Sequence, residues 1–112
     1  MTNAEIAKVL ERLAVMLELE GANVFRVRAY KEAARIVGVS GEAMTALAPT
    51  PGALEALPGI GKDLAQKIRD LVATGTTQLY QDLQKKYPIS VVELTELHGL
   101  RPKRVGTPFE VL

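Results

Sequence analysis

Cysteine is absent from this chain. That removes disulfide stapling and every thiolate nucleophile or thiolate metal site. Tryptophan is also absent and aromatic residues make up 4% of the sequence. The single histidine, His98, cannot assemble a zinc site alone and is assigned no role. No apolar run approaches the roughly 20 residues needed to cross a bilayer. Charges occur throughout the first helix-like segment, so a leader peptide is not expected there. A soluble cytoplasmic chain without membrane contact is the expectation. Charge of one sign is lacking as well. A net +1 does not by itself announce a partner of opposite sign.

What is present favours helices. At 112 residues and 47% hydrophobic content, one domain with a modest core is expected. Leu and Ala dominate, a composition suited to short helices packed closely through small side chains. Charge is unevenly distributed. Residues 1–20 carry Glu5, Glu11, Glu18 and Glu20 against Lys8 and Arg12. Residues 26–35 carry Arg26, Arg28, Lys31 and Arg35 against Glu32, and Arg101, Lys103 and Arg104 follow near the end. An acidic first helix and separate basic clusters suit one solvated face and one phosphate-facing face.

Thr2 and Glu5 form a capping-box signature opening a first helix. Ile6, Leu10, Leu13 and Leu17 then give one core-facing stripe. Gly21 ends that helix. A second is expected over about 25–37, with Ala29, Ala33, Ile36 and Val37 inward, Arg28, Lys31 and Arg35 on another stripe, and Gly38 as terminator. Ser40 is a candidate cap for a third helix over 41–47, and a short helix is expected over 53–56 after the Pro49-Thr50-Pro51-Gly52 connection. Leu64, Ile68, Leu71 and Val72 mark a helix over about 63–73 closed at Thr74-Gly75. Leu79 and Leu83 mark another over about 78–86, with Tyr80 and Tyr87 at packing positions. The expected architecture is all-α, a compact bundle of four to five short helices. Residues 1–88 make its main unit. Residues 89–112 hold a short helix after Ser90, a partial hairpin at His98 to Arg104 and a loose tail from 105.

Leu57-Pro58-Gly59-Ile60-Gly61-Lys62 organises the rest. Pro58 ends what precedes it. Gly59 and Gly61 permit positive φ and leave no side chain between the backbone and an approaching group. The amides of Gly61, Lys62 and Asp63 then open the next helix at the positive end of its dipole, a cradle for an anionic oxygen. A Walker phosphate loop is excluded by spacing and by Asp63, which stands where Ser or Thr is needed.

Leu57 to Ile68 resembles a helix-hairpin-helix motif. Upstream, Asn23-Val24-Phe25-Arg26-Val27-Arg28-Ala29-Tyr30-Lys31-Glu32-Ala33-Ala34 is similar to a segment of the amino-terminal domain of X-family DNA polymerases, bacterial and archaeal members above all and DNA polymerase beta more distantly. The resemblance covers about residues 3–104. It implies sequence-independent binding of gapped, nicked or single-stranded DNA by a repair polymerase's end-binding domain. The residues are Gly59, Ile60, Gly61 and Lys62, with Arg26, Arg28, Lys31 and Arg35 lining the groove. It implies a sodium or potassium ion on backbone carbonyls of Glu55, Leu57 and Ile60, and no other cofactor.

The resemblance also implies an enzymatic alternative, a 5′-deoxyribose-phosphate or abasic-site lyase. Lys67 stands at the position of the family's Schiff-base lysine and Tyr30 at that of an assisting tyrosine. Burial and neighbouring cations such as Lys31 are expected to keep the Lys67 amine neutral and nucleophilic. The sequence departs from the family pattern at several positions. Phe25 replaces a histidine, Arg26 a lysine, Asp63 a phosphate-binding lysine and Gln66 a glutamate, and Arg101 replaces a glycine of the second hairpin. No paired carboxylates of the kind a polymerase palm requires are present, so polymerisation by this chain alone is not expected. A monomer is expected. A third alternative is a helical protein-interaction module, which scattered basic residues would favour.

Overall fold

The computed structural model describes residues 1–88, and those residues form five helices. They are α1 (Asn3–Leu19), α2 (Val24–Val39), α3 (Met44–Leu47), α4 (Lys62–Thr74) and α5 (Gln78–Lys86). Among the described residues there is no strand, in keeping with the all-α expectation. The Ser90 cap, the partial hairpin at His98 to Arg104 and the tail from 105 lie outside them.

α1 is the spine. Its capping box forms: the Thr2 hydroxyl accepts from the Glu5 amide at 3.2 Å and the Glu5 carboxylate accepts from the Thr2 amide at 2.8 Å. Ile6, Leu10, Leu13 and Leu17 are all fully buried. Burying each such side chain contributes about 1.5–3 kcal/mol relative to leaving it exposed, so this stripe fixes which face of α1 meets the other helices. α2 makes most of that contact, and α4 and α5 also pack against α1.

α2 departs from expectation at its end. It runs through Gly38 to Val39, so Gly38 does not terminate it. A Cβ at Gly38 would come 3.8 Å from Cβ of Ala7 on α1, an ordinary packing distance between the two helices. Its buried face is Val27, Tyr30, Ala33, Ala34 and Val37, while Ala29 and Ile36 are only half-buried.

α3 is shorter than expected and is not capped by Ser40, whose hydroxyl accepts from the Glu42 amide inside the preceding turn. The cap comes from α1 instead. Asn3 Oδ1 accepts from the Met44 amide at 2.9 Å and Asn3 Nδ2 donates to the Glu42 carbonyl at 2.8 Å. The expected helix over 53–56 is replaced by consecutive turns, with one bond of helical span from the Ala56 amide to the Gly52 carbonyl. Leu54 is fully buried and anchors those turns in the core. α4 ends in Gly75 at φ 80°, a left-handed cap. α5 opens on Thr77, whose hydroxyl accepts from the Tyr80 amide, and Lys86 at its end pairs with Glu20 at the end of α1, 2.7 Å away.

Candidate nucleic-acid interface

The hairpin turn rests on α2 and presents its other side to solvent. Gly59 has φ 93°, and a Cβ there would fall 2.6 Å from Ile36 Cδ1 and 3.7 Å from Glu32 Cγ. The backbone conformation calls for glycine, while the Ile36 methyl is the far end of a half-buried side chain that can turn aside. Gly61 does not share that conformation. At φ −86° and ψ −178° it is extended, and nothing lies within 4 Å of a Cβ built on it. Its glycine is required neither by strain nor by packing, and the space in front of it is open.

Gly61 is the N-cap of α4 with no side chain to cap the helix. The first intrahelical bond runs from the Ala65 amide to the Gly61 carbonyl at 2.9 Å. The amides of Lys62 and Asp63 precede that bond, on exposed residues, with no partner among the described residues. Donors at the positive end of a helix are a ready site for an anionic oxygen. Ile60, by contrast, is 3% exposed, so its side chain belongs to the core and only its backbone faces the turn. The Leu57 carbonyl accepts from the Ile60 amide at 3.0 Å, closing the turn from within.

The segment before the turn is tied to α4 by Glu55 and Arg69. Two parallel bonds of 2.9 and 2.8 Å join guanidinium and carboxylate, and Arg69 Nε also donates to the Ala48 carbonyl at 3.3 Å. Those bonds hold the Glu55 carboxyl at about 2, well below the usual carboxylate range.

The cations fall into two groups. Arg26, Arg28 and Lys62 are exposed and make no ion pair among the described residues. Lys31 leans toward α1 and pairs with Glu18 at 3.4 Å, and Arg35 pairs with Glu32 one turn before it. Two of the four expected groove cations on α2 thus carry internal counter-charges, which lowers what the stripe offers a polyanion.

Lys67 and Tyr30 do meet. Tyr30 is 1% exposed, and its hydroxyl is buried with no hydrogen-bond partner of normal geometry. Burial, with Asp63 adding to it, raises the phenol above its ordinary range, while Lys67 and Arg26 nearby offset part of the effect. The setting of Lys67 differs from expectation. Lys67 Nζ donates to Asp63 Oδ1 at 2.9 Å, with 18% of the Lys67 side chain and 70% of the Asp63 side chain exposed. Partial burial pulls the amine down, but the Asp63 hydrogen bond and the nearby Tyr30 outweigh it, so the net direction is upward. The amine is held as an ammonium, and Lys31 is engaged elsewhere. Sequence reasoning placed Asp63 against the family pattern yet missed it as the partner of Lys67, although an acid four residues before a lysine on one helix was the available signal.

A family model described as a helix-hairpin-helix domain matches residues 1–77, well over half of the chain. This chain belongs to the helix-hairpin-helix domain family. Over 112 residues it is 30% identical to the DNA polymerase/3′-5′ exonuclease PolX of Bacillus subtilis (strain 168), covering 100% of this chain and 19% of that protein. The chain spans about a fifth of the length of that relative. The resemblance to part of an X-family DNA polymerase is thereby borne out. Within the helix-hairpin-helix match, among the described residues, no group of three or more histidine, aspartate or glutamate side chains could hold a metal ion. Nor is any helix among them long and apolar enough to cross a membrane.

Proposed function

We propose that this domain binds DNA through backbone phosphates at gaps, nicks or ends, without reading base sequence. The observation that carries the reading is the turn into α4, where unpartnered amides of Lys62 and Asp63 stand beside an open Gly61. Lys62 adds a charge-assisted donor, and Arg26 and Arg28 supply unpaired cations on α2. The family match and the polymerase named among its relatives support the same reading. Contacts of this kind position a strand and carry no sequence information.

The test is fluorescence anisotropy with gapped, nicked and intact duplexes across a salt series. The logarithm of the association constant should fall linearly with log salt concentration, with a slope near −0.9 for each phosphate neutralised on duplex. Lys62→Ala should reduce the slope by about one, whereas Glu11→Gln on the exposed side of α1 should leave it unchanged. A salt-independent affinity rejects the phosphate reading.

Backbone carbonyls of Glu55, Leu57 and Ile60 would supply hard oxygen ligands to sodium or potassium, and the Leu57 oxygen keeps one lone pair beyond its bond to the Ile60 amide. A second reading, lyase chemistry at Lys67, is favoured by the approach of Lys67 to the buried hydroxyl of Tyr30. Borohydride trapping on abasic DNA decides it. An adduct that persists in Lys67→Ala rejects this nucleophile, and no adduct with the parent chain rejects the activity.

A further inference from the structure

The Asp63–Lys67 pair has no counterpart in what the turn needs to hold a phosphate. An acid in the first turn of α4 favours the helix dipole, yet it places a negative charge beside the donors that would meet a strand. The same carboxylate takes the Lys67 amine at 2.9 Å, on the exposed side of a lysine whose stem is mostly buried. Tyr30 packs from α2, with its hydroxyl unpartnered and Arg26 close by. The groups facing the amine are therefore one carboxylate, one neutral phenol and, beyond the phenol, one guanidinium.

We propose that Asp63 is a positioning residue that controls the reactivity of Lys67, holding its amine in an ion pair that must open before the nitrogen can attack a carbonyl. This deepens the lyase reading of Lys67 and rests on it for its use, but its test needs no DNA. In the first step the ammonium gives its proton to a base in solution. The freed nitrogen lone pair then attacks an aldehyde carbon. A C–N bond forms while the carbonyl pair moves to oxygen and takes a proton, and loss of water leaves the imine. A carboxylate at hydrogen-bond distance stabilises the starting ammonium and slows the first of these events. It also places one acid against incoming phosphates, so the amine becomes available when the carboxylate turns to solvent.

The probe is formaldehyde with cyanoborohydride, whose hydride reduces the imine carbon and leaves a stable methylamine at each lysine that reacts. Labelling of the whole chain is followed from pH 6 to 10 by peptide mass spectrometry, with the exposed Lys85 as internal reference. These pH values lie below the ordinary lysine value of 10.5, so each lysine is read as a labelling rate at fixed pH. In the parent chain, Lys67 should label more slowly than Lys85. Asp63→Asn should raise the Lys67 rate about 1.5-fold to fivefold at fixed pH, the range spanned by partly screened ion pairs. The Lys85 rate should stay put. Asp63→Glu keeps an acid four residues before the lysine and should retain the slow rate.

A purely structural role for Asp63 would alter melting without moving the Lys67 profile. An unchanged Lys67 rate in folded Asp63→Asn overturns the proposal. If that variant does not fold, the parent decides alone: Lys67 labelling as fast as Lys85 overturns it. Because no DNA is present, failure here leaves the strand-binding reading to its own salt test.

Discussion

Arg69 and Glu55 lie 14 residues apart, one on α4 and one in the turns before the hairpin, and their side chains meet through two parallel hydrogen bonds. Each side chain is roughly three-quarters or two-thirds covered, at 25% and 32% exposure. The fork geometry fixes the angle between the turns and the helix in a way a single point charge would not. Arg69→Lys should therefore recover only part of the stability lost in Arg69→Ala, measured by urea unfolding at pH 7.

The same pair gives a pH dependence with a definite sign. The folded Glu55 carboxyl sits at about 2, below its ordinary 4.5. A depressed carboxylate contributes stability that is fully present above the unfolded value and is lost as pH falls through the folded one. Thermal melts between pH 6 and pH 2 should thus show the parent losing more stability than Glu55→Gln, the two curves converging toward the acid end. Parallel curves would show that the carboxylate is not the group responsible.

At Gly38, helix geometry and local space argue in the same direction. The residue sits inside α2, where glycine costs about 0.5–1 kcal/mol relative to alanine through the entropy of the unfolded chain. A Cβ there would make ordinary van der Waals contact with Ala7 at 3.8 Å. Gly38→Ala should raise stability by about 0.5–1 kcal/mol in chemical denaturation, and larger residues should reverse the gain by pushing α1 away.

These cases separate what could be read locally from what could not. The α1 stripe, its capping box and the bounds of α5 follow from spacing and cap chemistry within a few residues, and the sequence carried them openly. Gly38 looked like a terminator because glycine commonly is one, yet α2 runs one residue past it, and the contact that position makes with Ala7, 31 positions earlier, is not visible locally. The Asn3 cap on α3 and the Glu55–Arg69 fork have the same character, since both join segments whose relative placement is set by the packed core. The hairpin turn was legible as a glycine-rich helix opening, but the two glycines looked equivalent and are not. Asp63 was legible as the neighbour of Lys67 on one helix face, yet the sign of its effect depended on the rotamers that bring them to 2.9 Å.

The inequivalence of Gly59 and Gly61 makes the hairpin testable by two substitutions. Gly59→Ala meets a positive φ and the methyl of Ile36 at 2.6 Å, and should destabilise by about 1–2 kcal/mol. DNA affinity lost in that variant would therefore mix folding with binding.

Gly61→Ser avoids that ambiguity. The backbone at Gly61 already has the extended conformation of a helix N-cap, and the space for a side chain is open. A serine hydroxyl there can accept from the Asp63 or Leu64 amide, as side-chain caps do at the starts of α1, α2 and α5. Stability should rise by a few tenths of a kcal/mol, read from urea unfolding. The same hydroxyl consumes a donor and fills the approach that a phosphate oxygen requires, so anisotropy should show weaker binding to gapped DNA at every salt concentration. A variant that becomes more stable while binding less tightly separates the two uses of the turn, because a folding defect would move both measurements the same way. If Gly61→Ser binds as well as the parent, the open amides of α4 are not where the strand is held.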